Sequence, residues 1–257
     1  MSPKTLAYRA ARPSTSRVVL LGAGLAVASV LTLLAAPIGY RLGVLPLRIA
    51  LLTVLRWGAY GGAAAAVVSL IGLGVTLMRP KDRRRGVGLA VTALVLGVAL
   101  VGFPGRFRLG PPRPPIHDIT TDTQQPPQYV AVLPLRANAP NPTVYGGERI
   151  AASQRAAYPD VQPLVLEIAP ARAFERALAT VRAMGWDLVE ADAATGRIEA
   201  TDTTFWFGFK DDVIVRIRPT ATGGSRIDVR SLSRVGGGDV GTNAKRILAF
   251  LEALKVG

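Results

Sequence analysis

Cysteine is absent from this 257-residue chain, and histidine occurs once, as His117. The first absence excludes disulfides, thiol catalysis and thiolate metal sites. The second removes the usual zinc constellations, which draw on several His or Cys ligands. No metal and no cofactor is expected. Acidic residues are scarce at one end only. Residues 1–104 hold twelve Lys and Arg against Asp82 alone, a net +11, whereas residues 105–257 carry +3. A total of +14 suggests nucleic acid at first sight. The excess surrounds apolar runs instead of a folded surface, so nucleic acid is not an expected partner. Lysine is also rare, 5 against 26 arginines, a bias that reads as genome composition ahead of anion binding.

Ionisable residues are missing altogether from three long stretches, Val18–Tyr40, Trp57–Met78 and Gly86–Gly105, each bounded by arginines. About 20 apolar residues cross a bilayer as a helix, and a lone segment in lipid satisfies its backbone only as a helix. Residues 1–104 therefore read as a membrane anchor with three transmembrane helices and the lipid bilayer as its first partner. The first run is read as an uncleaved signal anchor. No run carries an internal charge, which argues against a proton or ion path. Lys4, Arg9, Arg12 and Arg17 in the N-terminal tail, and the basic Arg79–Arg85 loop, are expected to stay cytoplasmic. Three crossings then put the C-terminal half outside. Between the first two runs, Arg41, Arg48 and Arg56 recur every seven or eight residues among leucines. Val44–Leu55 is accordingly read as an amphipathic helix lying in the outer interface. Gly58 and Gly62, and Gly22, Gly24, Ala26 and Ala28, are small faces for close helix packing. They serve packing within one chain first and oligomer contact second.

Seven prolines fall between Pro104 and Pro127. Proline removes backbone donors and fixes φ, so residues 105–127 read as an extended linker. Within it the segment Pro114–Asp122, PPIHDITTD, has too many apolar residues for a spacer and is expected to lie on the surface of a domain spanning 128–257.

That domain reads as α+β, an antiparallel sheet with two main helices on one face. Strands are expected at Tyr129–Leu135, Leu164–Ile168, Trp186–Ala191, Arg197–Phe205, Val213–Arg218 and Arg226–Val235. A short helix is expected at Gly147–Ala157. A second opens at Pro170, where proline is tolerated in the first turn, and carries Phe174, Leu178, Val181 and Met184 on one stripe up to Gly185. A last helix follows Asp239 or Thr242 as its cap, with Ile247, Phe250, Leu251 and Leu254 inward. A two-residue turn at Phe207-Gly208 pairs Ile198 with Ile217 and Glu199 with Arg216. The next hairpin sets Arg216 opposite Asp228, giving a row of alternating charge.

These residues carry a resemblance. The segments PPIHDITTD at 114–122, Tyr158-Pro-Asp160, RIEATDTTFWFGFKDDVIVRI at 197–217, Asp228–Ser231, Ser233–Gly236 and Gly241–Asn243 resemble the bacterial family known as domain of unknown function 1499. The resemblance implies a membrane-attached protein with its domain outside the cytoplasm. It implies no activity.

Several residue groups are candidates for a site. Thr203–Phe209 packs four aromatics around a turn. It is either an aromatic tip for lipid headgroups or a protein partner, or a core cap made by Trp206 and Phe209; the cap is the expectation. Asp202, by parity, faces the helix side with Ser231. A polar cluster of Asp202, Asp211, Ser231 and Ser233 is expected beside the last helix, as a structural network ahead of a pocket. Asp211 and Asp212 are adjacent on a strand and point to opposite faces, so they are no acid/base dyad. Arg216, Arg218, Arg230 and Arg234 line the other face, as a solvated ion-pair grid ahead of an anion site. His117-Asp118 with Ser231 or Ser233 has the composition of a triad, but no strand-to-helix elbow presents either serine.

No catalytic residue is assigned. The leading expectation is a binding module of the bacterial cell envelope, held in the inner membrane with its N-terminus cytoplasmic and its domain periplasmic. Its partner would be an envelope protein, lipid or cell-wall component. An envelope hydrolase using carboxylates near Asp202 and Asp211 is the alternative, and an oligomeric membrane scaffold the third.

Overall fold

The computed structural model describes residues 15–79, 85–105 and 113–256. The chain forms two compact units, residues 1–110 and 111–257.

The first unit is helical. Helix α1 is Arg17–Arg41; α2, Leu47–Ile49, runs through a π turn, Ala50–Val54, into α3, Leu55–Leu77. Helix α4 is Val87–Gly105. Among the described residues two helical runs, Arg17–Arg41 and Leu47–Leu77, are long and apolar enough to cross a membrane. The third expected crossing is the shorter α4, whose apolar stretch is Val87–Gly102. The separate interfacial helix at Val44–Leu55 does not form. From Leu47 onward no proline or glycine interrupts the chain before Gly58, so those residues join the long helix and the irregularity is confined to one π turn. Ala26, Ala65 and Ala93 meet at the centre of this unit. A Cβ on Gly97 would come within 2.7 Å of Ala66 N and Gly62 O, so α3 and α4 approach at backbone distance. Gly58 lies against Leu33 and Gly62 against Leu100. These small faces are thus occupied by neighbouring helices of the same chain.

The second unit is an antiparallel sheet with helices. Its strands are β1 Asp118–Thr120, β2 Leu164–Leu166, β3 Asp187–Asp192, β4 Arg197–Thr203, β5 Lys210–Pro219 and β6 Ser225–Ser233. The order is β1-β6-β5-β4-β3, and β2 also pairs with β6. Its helices are α5 Gly147–Ala157, α6 Pro170–Ala183 and α7 Thr242–Val256. Pro170 starts α6, and Gly185 at φ +71° follows its end, the left-handed geometry glycine adopts freely. Helix α7 is capped by Asp239, whose carboxylate accepts from Asn243 N at 2.7 Å and Gly241 N at 2.9 Å.

Alternation along the strands builds the main core. Ile198 and Ala200, Val213, Val215 and Ile217, Ile227 and Val229, and Ile119 point to one face. There they meet Ala173, Phe174, Ala177 and Val181 of α6 and Ile247, Phe250, Leu251 and Leu254 of α7. The hairpin β5–β6 has the expected register, with Arg216 opposite Asp228 and Ile217 opposite Ile227. The hairpin β4–β5 is shifted by two: Ile198 faces Val215 and Glu199 faces Ile214. The cause is a six-residue loop, Thr204–Phe209, in place of a two-residue turn. Thr204 N donates to Phe209 O at 2.8 Å, and Phe209 N donates to Thr204 Oγ1 at 2.9 Å. An even shift preserves the faces, so the core is as expected while the predicted Glu199–Arg216 contact is lost.

Two further expectations fail together. Tyr129–Leu135 is a run of turns leading into a short 3-10 helix, Pro134–Arg136, and not a strand. The sheet face opposite the helices is a partly solvated ion-pair grid only where Arg216, Arg218 and Arg226 meet Asp122 and Asp228; elsewhere this segment covers it. Tyr129 and Val132 pack on Ile214 and Leu232 as a second, smaller core. The extended linker also ends early. Asp118–Thr120 is inside the sheet, and Ile119 is fully buried. Apolar Ile116 and Ile119 gain more from the core than from water, so a segment expected on the surface is a strand within it. Its outer edge is closed by α5: Thr120 N donates to Gln154 Oε1 at 2.9 Å, and Gln154 Nε2 donates to Thr120 O at 2.7 Å.

Candidate interaction site at the hairpin end of the sheet

Two polar networks hold the residues singled out by sequence. The first lies on the helix face, where β4, β5 and β6 end against α7. Asp202 and Asp211 are cross-strand partners. Arg246 of α7 reaches both, donating from Nε to Asp202 Oδ2 at 2.7 Å and from Nη2 to Asp211 Oδ2 at 2.7 Å. Its Nη1 donates to Ser231 Oγ at 3.1 Å. Ser231 Oγ donates to Asn243 Oδ1 at 2.7 Å, while Asn243 Nδ2 donates to Ser233 Oγ and His117 O, both at 3.0 Å. Burial pushes the Asp211 carboxyl above its ordinary range, with Arg246 and Ser233 opposing that rise. The expected cluster of Asp202, Asp211, Ser231 and Ser233 is therefore brought together. Its centre, Arg246 with Asn243, was missed. The signal was available: positions 243, 246 and 250 share a helical face, so Asn243 and Arg246 line the stripe that Phe250 buries.

The second network lies on the other face. Asp212, fully buried, accepts from Arg136 Nη1 at 2.5 Å, from Arg234 Nη2 at 2.8 Å and Nε at 2.9 Å, and from Thr201 Oγ1 at 2.7 Å. Arg230, also fully buried, forms a bidentate pair with Asp118 at 2.8 and 2.9 Å and donates to Pro127 O at 3.0 Å. Its guanidinium lies over the rings of Tyr129 and Tyr145. Arg216 binds Asp228 at 2.9 Å and Asp122 at 3.0 Å, and Arg218 and Arg226 close on the same two carboxylates. Glu199, fully buried, was missed as an anchor. Its carboxylate accepts from the backbone N–H groups of Val130, Ala131 and Val132 at 2.9–3.1 Å. Each side chain here has a partner inside the domain. Among the described residues no three His, Asp or Glu side chains gather to hold a metal ion.

His117 forms no triad with Ser231 or Ser233. Its carbonyl serves Ser233 N and Asn243, while its Nδ1 is buried without a partner. Asp118 is committed to Arg230.

Trp206 departs from the expected role. Phe205 is 79% exposed and Trp206 55% exposed; their rings meet edge-on at 5.2 Å. They do not cap the core. That position belongs to Trp186, stacked on Phe250 at 5.5 Å. The six-residue loop is the reason, since it carries the two rings beyond the last strand pair, Thr203 and Lys210. Phe207 and Phe209 stack on each other at 5.1 Å behind them.

An antiparallel sheet with two helices on one face, a covering segment on the other and an exposed aromatic hairpin defines an α+β class of domain. Residues 118–254 match the profile of a family described as protein of unknown function (DUF1499), and the chain belongs to that family. No curated protein matches it.

Proposed function

We propose that this protein is a membrane-anchored interaction module of the bacterial envelope, with α1, α3 and α4 crossing the inner membrane and the C-terminal domain in the periplasm. One observation carries the reading. The ionised groups singled out by sequence are engaged with one another, while the largest apolar side chains of the hairpin end, Phe205 and Trp206, are left in solvent. A domain that commits its charges to its own fold and presents aromatics recognises a surface instead of transforming a substrate. The arginine-bounded apolar runs support the topology. A reporter enzyme active only outside the cytoplasm, fused after Gly257, is expected to be active in cells; activity of a cytosol-dependent reporter at that position overturns the topology.

A second reading, envelope hydrolysis by Asp202 and Asp211, is supported by their convergence on Arg246 and by the raised Asp211 carboxyl. It requires turnover by the purified protein that disappears in Asp211→Asn. The interaction reading expects that variant to change stability alone.

A further inference from the structure

We propose that the hairpin end of the domain docks into the headgroup interface of the bilayer that holds the anchor, with Phe205 and Trp206 inserted. The proposal rests on the reading that the helical unit lies in a membrane.

Four observations point to lipid. First, two adjacent rings stand in solvent at the tip of a hairpin, although burying apolar surface is favourable. Rings of this kind suit the interface between hydrocarbon and water. Second, the tip shares its end of the sheet with other exposed apolar side chains. Lys210 O accepts from Arg234 N, and Arg234 Nη1 donates to the carbonyl of Leu135, itself 54% exposed. Val240, 52% exposed, follows the β6 terminus at φ +49°. A β-branched residue in that region is a genuine outlier.

Third, the chain enters the domain at this same end. Ser233 N, next to Arg234, donates to His117 O, and Gly238 lies against Pro115. Strands β1, β6, β5 and β4 are successive neighbours. At ~4.8 Å per step, the aromatic hairpin begins on the order of 10–15 Å from the point of entry. Nine residues join Gly105 to Pro115, a length that spans at most ~35 Å when fully extended. Fourth, the charge suits an anionic surface. Arg113 and Lys210 are exposed. Asp202 and Asp211 share Arg246, one cation against two carboxylates, and Asp187, opposite Thr201, is a further exposed acid of this end, so Arg113 and Lys210 are the cations left to meet a surface.

The absence of cysteine makes the test clean. Phe205→Cys and, at the opposite end of the sheet, Thr222→Cys each accept a single spin label in the full-length protein, placed in nanodiscs of phosphatidylethanolamine and phosphatidylglycerol. The label at 205 is expected to collide with oxygen several-fold more than with a water-soluble nickel chelate, and the label at 222 to show the reverse. Equal nickel access at the two positions overturns the proposal. So does shielding of 205 that occurs only in native membranes and not in lipid discs, which identifies a protein partner. Both positions are exposed, so neither variant threatens the fold. Reaction of the Thr222→Cys variant with a membrane-impermeant maleimide in intact cells reports separately on the side of the membrane. A cytoplasmic answer there removes the periplasmic reading and leaves the lipid result standing.

Discussion

Arg230 of β6 and Asp118 of β1 form a bidentate pair whose guanidinium is fully buried. The pair fastens the first strand of the domain to the centre of its sheet, and Pro127 O and Thr143 O accept further bonds from the same guanidinium. Burial works against the arginine's charge, but Asp118 outweighs it and raises the pKa above the ordinary arginine value.

Arg230→Met leaves Asp118 buried and unpaired, and breaking such a pair costs about 3–5 kcal/mol. The expected result is a matching drop in the free energy of unfolding by urea. Because Thr120 and Gln154 sit on the same strand edge, amide exchange at residues 118–120 should quicken more than at β4.

Acid should weaken the domain through Asp212 and Asp228. Burial pushes both carboxyls up, but hydrogen bonds from Arg234 and Arg226, with their partners, hold them below the ordinary range. A depressed carboxyl contributes stability that is present above its unfolded value, about 3.9, and is lost as pH falls through the folded value. Asp211 has the opposite sign: its raised pKa costs stability at neutral pH, and the cost vanishes in acid. Urea midpoints measured from pH 5 downward should therefore fall, less steeply in Asp212→Asn and more steeply in Asp211→Asn.

Alkali should act through tyrosine. Burial raises the Tyr145 phenol to about 12 and drives that of Tyr129 well above its ordinary value. The unfolded chain ionises its tyrosines near pH 10, so the stability these two contribute is complete below that pH and is lost as pH rises towards 12. Tyrosinate absorbance should show a late, cooperative step, and Tyr145→Phe should reduce its amplitude.

The two tryptophans of the domain should separate structure from surface. Trp186→Ala removes a ring stacked on Phe250 in the core and should cost about 3–5 kcal/mol. Trp206→Ser, at an exposed position, should stay within roughly 0.5 kcal/mol of the parent. Thermal denaturation of the two variants decides this; equal losses would make the tip part of the core.

The helix face was legible because apolar residues alternate cleanly along β4, β5 and β6 and recur at helical spacing in α6 and α7. The other face was not. Ile214 and Leu232 share its parity with Arg216 and Arg230, and those two apolar residues were the sign that something covers it. The arginines concealed that sign, since each reads as solvent-facing until Asp118, Asp122 and Asp228 are placed beside it. Loop length was equally opaque. Nothing local distinguishes a turn at Phe207-Gly208 from a loop closed by Thr204, because Thr204 Oγ1 makes its bond to Phe209 N across five positions. Spacing alone puts Arg246 on the buried stripe of α7, but not beside its carboxylates, which lie 35 and 44 residues away.

Gln154 closes the outer margin of β1 by imitating a peptide group on both sides of Thr120. The opposite margin of the sheet is β3, which carries Asp187, Glu190 and Asp192 and a register break between Leu188 and Glu190. One boundary is plugged at β1 and continues as β2, three residues long, and the other is acidic and kinked, so neither offers a long straight ladder to a second molecule. Crowded copies of this domain are thereby kept from zipping into continuous ribbons.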